Sequence, residues 1–305
     1  MTTLSTQIEI YLKYCKSQKR LDEKTIKAYQ IDLRQFTEFT ALDICDITPD
    51  TLENYIAGLH QKYMPKTAKR KIASLKALFH YFEYKELIQK NPFHKVQIKF
   101  REPVILPKTI PLYTLETFLS TIYKQRSQAK TDYQKRNALR DIAVAEVLFA
   151  TGMRISELCS LGINDIDLRD RSILIYGKGA KQRRIQIGND DVLQILHEYK
   201  NEFRIEMQTC KHFFANQNGN VLSDQTVRRM INRYTGLAAI ELHITPHMFR
   251  HTFATSLLEA DVDIRYIQEM LGHSSINITE IYTQVAMSKQ RDILTTKHPR
   301  KQFNL

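Results

Sequence analysis

A proline-rich segment divides this 305-residue chain into two regions with different residue patterns. The segment FREPVILPKTIP (100–111) holds three prolines, and a residue that precedes proline is biased toward an extended conformation. Such a segment is typical of a linker between domains, and the chain is long enough for two hydrophobic cores. The predicted domains are 1–102 and 111–305, with the linker at 103–110.

The region before the linker has the apolar periodicity of helices throughout. Residues such as Ile8 and Tyr11 recur at spacings of three and four, which places them on one helix face. Asp22 is a predicted N-cap of a second helix. Thr48, which precedes a proline, and Pro65 are typical starts of a third and a fourth helix. Four amphipathic helices with short connections predict a small bundle.

The region after the linker has a mixed pattern. Thr114 is a predicted N-cap, and the largely apolar segment 137–150 predicts a central buried helix. Two short strands, at 172–176 and 184–187, flank GKGAKQR and predict a β-hairpin with Lys178 at its turn. Further helices are predicted at about 190–207, 223–234, 246–260 and 263–271. The fold class expected is therefore mainly α with a small β-sheet.

The chain is strongly basic. Its 45 Lys and Arg exceed its 33 Asp and Glu, a net charge of +12, which favours a polyanionic partner because bound phosphates release counterions. Between residues 61 and 101 eleven bases face two acids, more than a merely solvated helix face requires. The residues predicted to contact DNA are Lys66, Lys69, Arg70 and Lys76, with Arg228 and Arg229 in the later helix.

Several classes of protein are disfavoured by motifs that the sequence lacks. It has neither an apolar run of transmembrane length nor the apolar core of a signal peptide, so we expect no membrane partner. The four cysteines are scattered without a CxxC pair, which indicates a reduced, cytoplasmic chain without a zinc site. A phosphate loop of the GxxxxGK[ST] type is absent, so ATP-driven work is not expected. We therefore predict no metal and no cofactor.

Five residues in the second region carry the chemistry of a phosphodiester site. They are Arg154, His247, Arg250, His273 and Tyr282, in the contexts ATGMRISEL, TPHMFRHTFAT, LGHSS and EIYTQ. Arginine binds phosphate through a planar fork of N–H groups. A tyrosine hydroxyl has a pKa near 10, so it needs a base and cationic neighbours to attack at neutral pH. The pattern favours Tyr282 as a nucleophile activated in this way.

Local sequence indicates where these side chains are held. Gly152 predicts a left-handed helix end that places Arg154 at a rigid corner, where a buried Glu157 can hold the rear of the guanidinium. The pair Thr245-Pro246 predicts a helix start, with His247 and Arg250 on one face of its first turn. His247 is the candidate base and Lys178 the preferred general acid.

Lys181, Arg183 and Arg184 are alternative proton donors beside Lys178. His251 is favoured as a structural histidine. Each motif alone has an ordinary structural explanation, and an isolated histidine or tyrosine is more often structural than catalytic. The combination is what favours a common site.

The ordered set R…K…HxxR…H…Y in these contexts resembles the tyrosine recombinase, or phage integrase, family, with a compact layout like its Xer-type branch. The resemblance covers nearly the whole chain and implies a SAM-like core-binding domain followed by a mixed α/β catalytic domain. It implies six catalytic residues, Arg154, Lys178, His247, Arg250, His273 and Tyr282, supported by Glu157. One departure is Phe249, where the family pattern usually has leucine.

The resemblance also implies the reaction and the partners. Tyr282 is expected to form a 3′-phosphotyrosyl link with duplex DNA, and strand exchange is expected to pass through a Holliday junction. Four protomers are expected on two sites with inverted-repeat cores, and a second recombinase or accessory protein is left open. Integration or excision of a mobile element and dimer resolution stay as alternative roles. Two other classes are a catalytically idle DNA-binding or architectural protein and an enzyme resembling type IB topoisomerases.

Overall fold

The computed structural model describes residues 3–98, 100, 108–177 and 182–272. The chain divides into two compact units, Met1–Val104 and Ile105–Leu305. The predicted linker lies mostly outside the described residues, so its limits stay a prediction. None of the described helices is long and apolar enough to cross a membrane.

The first unit contains the four predicted helices. Asp22 accepts a hydrogen bond from the backbone N–H of Thr25, and Thr48 forms a capping box with Thr51, which explains where two of the helices begin. Leucine and aromatic side chains such as Phe36 and Phe79 form the core. The helices are α1 (Leu4–Ser17), α2 (Glu23–Phe39), α3 (Pro49–Lys62) and α4 (Pro65–Tyr84), with short 3-10 turns at Ile44–Asp46 and Pro92–Lys95.

A buried ion pair ties α2 to α4. The Lys71 ammonium lies 3.0 Å from a carboxylate oxygen of Asp32 and 2.5 Å from Oε1 of Gln35, and only 3% of the lysine side chain is exposed. Ser74 and Arg70 also donate to Asp32. Lys71, one of the eleven bases counted between residues 61 and 101, therefore adds no charge to the surface, because its charge is neutralised inside the bundle.

The second unit has eight helices and three strands among the described residues. Its elements are α5 (Leu112–Ser127), α6 (Asp132–Thr151), α7 (Ile155–Ser160), β1 (Ile166–Asp167), β2 (Ser172–Tyr176), β3 (Gln182–Gln186), α8 (Asp190–Glu202), α9 (Arg204–Cys210), α10 (Asp224–Leu237), α11 (Pro246–Glu259) and α12 (Ile264–Leu271). Helix α6 is buried on most sides and packs against α5, α8 and α11. The prediction of a central helix is confirmed.

The predicted hairpin is present, and the sheet is larger than predicted. β2 and β3 pair antiparallel, with Ser172 opposite Gln186 and Tyr176 opposite Gln182. β1 adds a third antiparallel strand that the sequence analysis missed, because two residues are too short for an alternating pattern to be recognised. Residues 178–181, including Lys178 and Lys181, lie outside the described residues.

Two helix limits were also predicted wrongly. The helix expected at 190–207 is two helices, which separate at Phe203, a residue held in the core with non-helical backbone angles. Thr114 is not an N-cap. Helix α5 begins earlier, with Pro111 at the N-cap position, and Thr114 is buried within the first turn. In both places tertiary packing overrides the local signal.

Candidate active site

A sharp corner after α6 positions Arg154. Gly152 ends the helix with φ of 58° in the left-handed region, as predicted, and α7 begins three residues later. A Cβ atom on Gly152 would lie 2.6 Å from Cδ1 of Phe253, so both the backbone conformation and the available space favour glycine. Arg154 occupies the N-cap of α7, and about a third of its side chain, 32%, is exposed.

Glu157 is the acceptor at the centre of the site. It receives the backbone N–H of Arg154 at 2.8 Å and Nη1 of the same arginine at 2.8 Å. The Arg183 guanidinium binds both carboxylate oxygens, at 3.1 and 2.7 Å. Burial raises the pKa of Glu157, but the hydrogen bonds from Arg183 and Arg154 outweigh burial and hold this pKa below its ordinary value. Glu157 is therefore an anion between two arginines.

Arg183 is a site residue whose role the sequence analysis missed. It was considered only as an alternative proton donor, yet its side chain is 8% exposed and donates from Nε to the Met270 carbonyl at 2.8 Å. Its partner Glu157 lies 26 residues away along the chain, so local spacing gave no signal. Arg184 instead binds Ser172 and lies 3.5 Å from Asp170.

Helix α11 places Arg250 beside the corner. Pro246 begins this helix, as predicted, although the Thr245 side chain accepts no bond from the first turn of this described helix. Arg250 is buried and donates to the carbonyl oxygens of Gly152 and Leu271, each at 2.8 Å. His247, one turn earlier, is exposed. The prediction that the Arg154 and Arg250 segments meet is supported by the bond between Arg250 and Gly152.

The pKa of Arg250 reflects its burial and the charged side chains around it. Burial, with the charge of Arg154, lowers the pKa of Arg250 to about 9, and Glu157 offsets part of that effect. The group therefore stays protonated at neutral pH. A guanidinium has further N–H donors, so the two carbonyl bonds fix its position and leave it able to bind a phosphate.

The carboxyl end of α12 completes the described part of the site. The carbonyls of Met270 and Leu271 accept from Arg183 and Arg250, and Gly272 ends the helix with φ of 63° in the left-handed region. His273 follows at once, but it and Tyr282 lie outside the described residues. Among the residues that are described, no cluster of three or more His, Cys, Asp or Glu side chains could hold a metal ion.

Removing the charge of Glu157 is expected to change how stability depends on pH. Because its pKa is lowered in the folded state, the stabilisation is complete above the ordinary value near 4.5 and is lost as pH falls through the lower folded value. In wild type the free energy of unfolding should therefore fall more steeply than in Glu157→Gln as the pH drops below about 4.5. Urea unfolding at several pH values measures how steeply the free energy of unfolding depends on pH in each protein. Equal slopes would contradict the lowered pKa of Glu157.

The residues predicted to contact DNA are mostly at the surface of their own helices. Lys66, Lys69 and Lys76 are exposed on α4. Arg70 is exposed as well, but Asp32 holds its guanidinium. On α10, Arg229 is exposed and Arg228 is half-buried. Lys66, Lys69, Lys76 and Arg229 are thus exposed to solvent, and the contact of all six residues with DNA stays a prediction.

Two family models match the chain. Residues 120–289 match the phage integrase family, and residues 8–86 match the phage integrase N-terminal SAM-like domain. A tyrosine recombinase of Agathobacter rectalis is 68% identical over 305 residues, covering 100% of both chains. The tyrosine recombinase XerC of Bacillus subtilis is 32% identical over 314 residues, covering 98% of both.

Solved structures have the same fold. The XerH site-specific recombinase, in a post-cleavage complex with palindromic difH substrate, gives a TM-score of 0.76 at 24% identity, covering 97% of this chain and 85% of that chain. A lambda integrase tetramer bound to a Holliday junction gives a TM-score of 0.69 at 18% identity, covering 90% of this chain and 78% of that chain.

The fold brings Arg154 and Arg250 to one corner, and two guanidinium groups held in this way can bind a phosphodiester. The chain belongs to the phage integrase family and is a tyrosine recombinase. The family membership predicted from the ordered residues R…K…HxxR…H…Y is thereby confirmed. The predicted fold class, a SAM-like helical domain followed by a catalytic domain, is confirmed as well.

Proposed function

We propose that the protein recombines duplex DNA at a specific site and that Arg154, Lys178, His247, Arg250, His273 and Tyr282 perform the reaction. The observation that carries the proposal is the meeting of Arg154 and Arg250 at one corner. Arg250 binds the Gly152 carbonyl while Arg154 binds Glu157, so two guanidiniums are fixed before any substrate arrives. Donors fixed in advance stabilise developing charge without reorganisation.

The proposed chemistry accounts for each proton and bond. The Tyr282 oxygen attacks the scissile phosphorus, and its proton passes to His247. The new O–P bond forms a 3′-phosphotyrosyl link as the bond to the 5′ oxygen breaks, and Lys178 protonates that oxygen. Arg154 and Arg250, with His273, stabilise the negative charge on the phosphate. A 5′ hydroxyl from the second duplex then attacks the link and gives its proton back to Lys178. The bond to Tyr282 breaks, and the tyrosine oxygen takes the proton that His247 holds.

The proposed partners are inferred from the basic residues on α4 and α10 and from the similar solved structures. Lys66, Lys69, Arg70 and Lys76 on α4, with Arg228 and Arg229 on α10, are proposed to bind phosphates. The palindromic substrate of XerH and the tetramer of lambda integrase support an inverted-repeat core site and a homotetramer on DNA. A cytoplasmic location belongs to the same proposal. Dimer resolution and the integration or excision of a mobile element are both compatible with this chemistry.

The proposal is tested by trapping the covalent intermediate. Binding sites are first selected with the protein from a random-sequence duplex library, and a selected site is then synthesised with a nick near the scissile phosphate. Cleavage releases the short 5′-hydroxyl strand, so religation fails and the adduct accumulates. We expect wild type to form a 3′ adduct at Tyr282, identified by peptide mass mapping, and Tyr282→Phe to form none because it lacks the nucleophilic oxygen.

Other outcomes identify the competing functions. Binding to the selected duplex without any adduct would indicate a catalytically idle DNA-binding protein. Relaxation of supercoiled plasmid by a monomer, without joint molecules between two sites, would indicate an enzyme resembling type IB topoisomerases. A 3′ adduct together with joint molecules supports recombination.

A further inference from the structure

We propose that Arg183 is a positioning residue that holds three segments of the active site in register. The segments are the hairpin that carries Lys178, the corner that carries Arg154, and the end of α12 that precedes His273. The inference rests on the proposed function, since the register matters only if these residues act on one phosphate. Arg183 acts through its neighbours and is not itself assigned to the substrate.

The geometry of the Arg183 side chain carries this proposal. Nη1 and Nη2 bind the two carboxylate oxygens of Glu157 at 3.1 and 2.7 Å, a bidentate pair of defined orientation. Glu157 in turn binds Nη1 of Arg154 at 2.8 Å. Because Arg183 is the second residue of β3, this pair fixes the start of the strand against the Arg154 corner.

The third connection reaches α12. Nε of Arg183 donates to the Met270 carbonyl at 2.8 Å, in the last turn of that helix. A Cβ atom added to Gly272 would lie 2.8 Å from Cδ of Arg183, so glycine allows the arginine to pass. The left-handed φ of Gly272 is a second reason for glycine there. The Arg183 guanidinium therefore contacts both the Glu157 carboxylate and the Met270 carbonyl, which lies three residues before His273.

A purely stabilising role accounts poorly for this arrangement. The side chains of Arg183 and Glu157 are 8% and 6% exposed, and a buried ion pair is often no more stabilising than apolar residues of similar volume. What the pair adds is direction, because its bonds hold only in one orientation. Misplacement of a reacting group by about 1 Å can slow a reaction roughly 100-fold.

The test measures the rate of adduct formation on the nicked selected duplex at saturating protein, with DNA affinity measured separately. Arg183→Gln is expected to slow the adduct about 100-fold with DNA affinity little changed. Arg183→Lys keeps the charge but loses the bidentate fork, so it is expected to stay at least about tenfold slow. The matched control is Arg171→Gln, which removes a surface arginine beside β2 that pairs with Asp190 and is expected to react at the wild-type rate.

Two further variants separate positioning from folding. Gly272→Ala leaves Arg183 chemically intact but crowds its side chain and strains the left-handed backbone at the end of α12, and it is expected to slow the adduct through both effects. The double variant Arg183→Gln/Glu157→Gln is expected to be slowed by less than the product of the two single losses, because Arg183 and Glu157 share one ion pair. Thermal unfolding of each protein identifies any variant that does not fold. If Arg183→Gln does not fold, the role of Arg183 is judged from the adduct rates of Arg183→Lys and Gly272→Ala.

The outcomes distinguish this inference from the proposed function. If wild type forms the adduct and folded Arg183→Lys and Gly272→Ala react like Arg171→Gln, Arg183 is not a positioning residue. Additive losses in the double variant would also overturn the inference. If wild type binds the duplex but forms no adduct, the proposed function fails first and the role of Arg183 fails with it.

Discussion

Arg250→Ala is expected to slow covalent adduct formation by about 1000-fold, because it removes a fixed donor from the phosphate. The buried guanidinium is held in place by the carbonyls of Gly152 and Leu271, each at 2.8 Å. Arg250→Lys should stay about 100-fold slow, because an ammonium keeps the charge but cannot reproduce the planar fork. Single-turnover cleavage of the nicked selected duplex measures both rates.

The control for Arg250 is an arginine on the neighbouring helix. Arg265 on α12 is exposed and pairs with Asp263, and Arg265→Ala should cleave at the wild-type rate. Arg250→Ala also leaves two buried carbonyls without this donor, which is expected to lower the free energy of unfolding by about 1–3 kcal/mol for each carbonyl. Wild-type cleavage by a folded Arg250→Ala would remove Arg250 from the site. A loss of DNA affinity as large as the loss of rate would make Arg250 an anchor of ground-state binding.

Asp32→Ala is expected to have the largest effect on stability, a loss of about 3–5 kcal/mol in the first unit. The Lys71 ammonium is 3% exposed and would keep Gln35 but lose its carboxylate, leaving a buried charge poorly compensated. Urea unfolding of the full chain, with hydrogen exchange of the α2 and α4 amides, localises the loss. Replacing both partners, as in Asp32→Leu/Lys71→Met, should recover most of the stability.

A surface ion pair on the same helix provides the comparison. Arg34 and Glu38 lie 2.9 Å apart on α2 with largely exposed side chains. Glu38→Ala is expected to cost only about 0.3–0.5 kcal/mol, because water screens the pair. Equal losses for Asp32→Ala and Glu38→Ala would show that the buried pair does not stabilise the bundle as argued.

Much of the fold was predictable because its signals are local. Asp22 and Thr48 accept bonds from the N–H groups of the following turn, and Gly152 and Gly272 adopt the left-handed conformation that glycine favours. The β2–β3 hairpin follows from alternating apolar residues around a glycine-containing turn. The wrong predictions, at Thr114 and Phe203, lie where packing overrides a local preference.

The chemistry of the site was likewise predictable as a set of residue types. Arginine, histidine, lysine and tyrosine in this order indicated a phosphate and a nucleophile, and the family is confirmed. The prediction that Glu157 holds Arg154 agrees with their contact at 2.8 Å. The catalytic assignment of all six residues stays a prediction, and Lys178, His273 and Tyr282 also lie outside the described ranges.

By itself, the sequence determined most of the helix starts, the corner at Gly152, the hairpin and the candidate residues, because each depends on interactions within a turn or two. Only the tertiary structure decided which charges face one another. Arg250 meets the Gly152 carbonyl across 98 residues, Arg183 meets Glu157 across 26, and Lys71 meets Asp32 across 39. Such partners are chosen by the packing of whole helices and strands, which excludes water and requires each buried charge to find its counterpart.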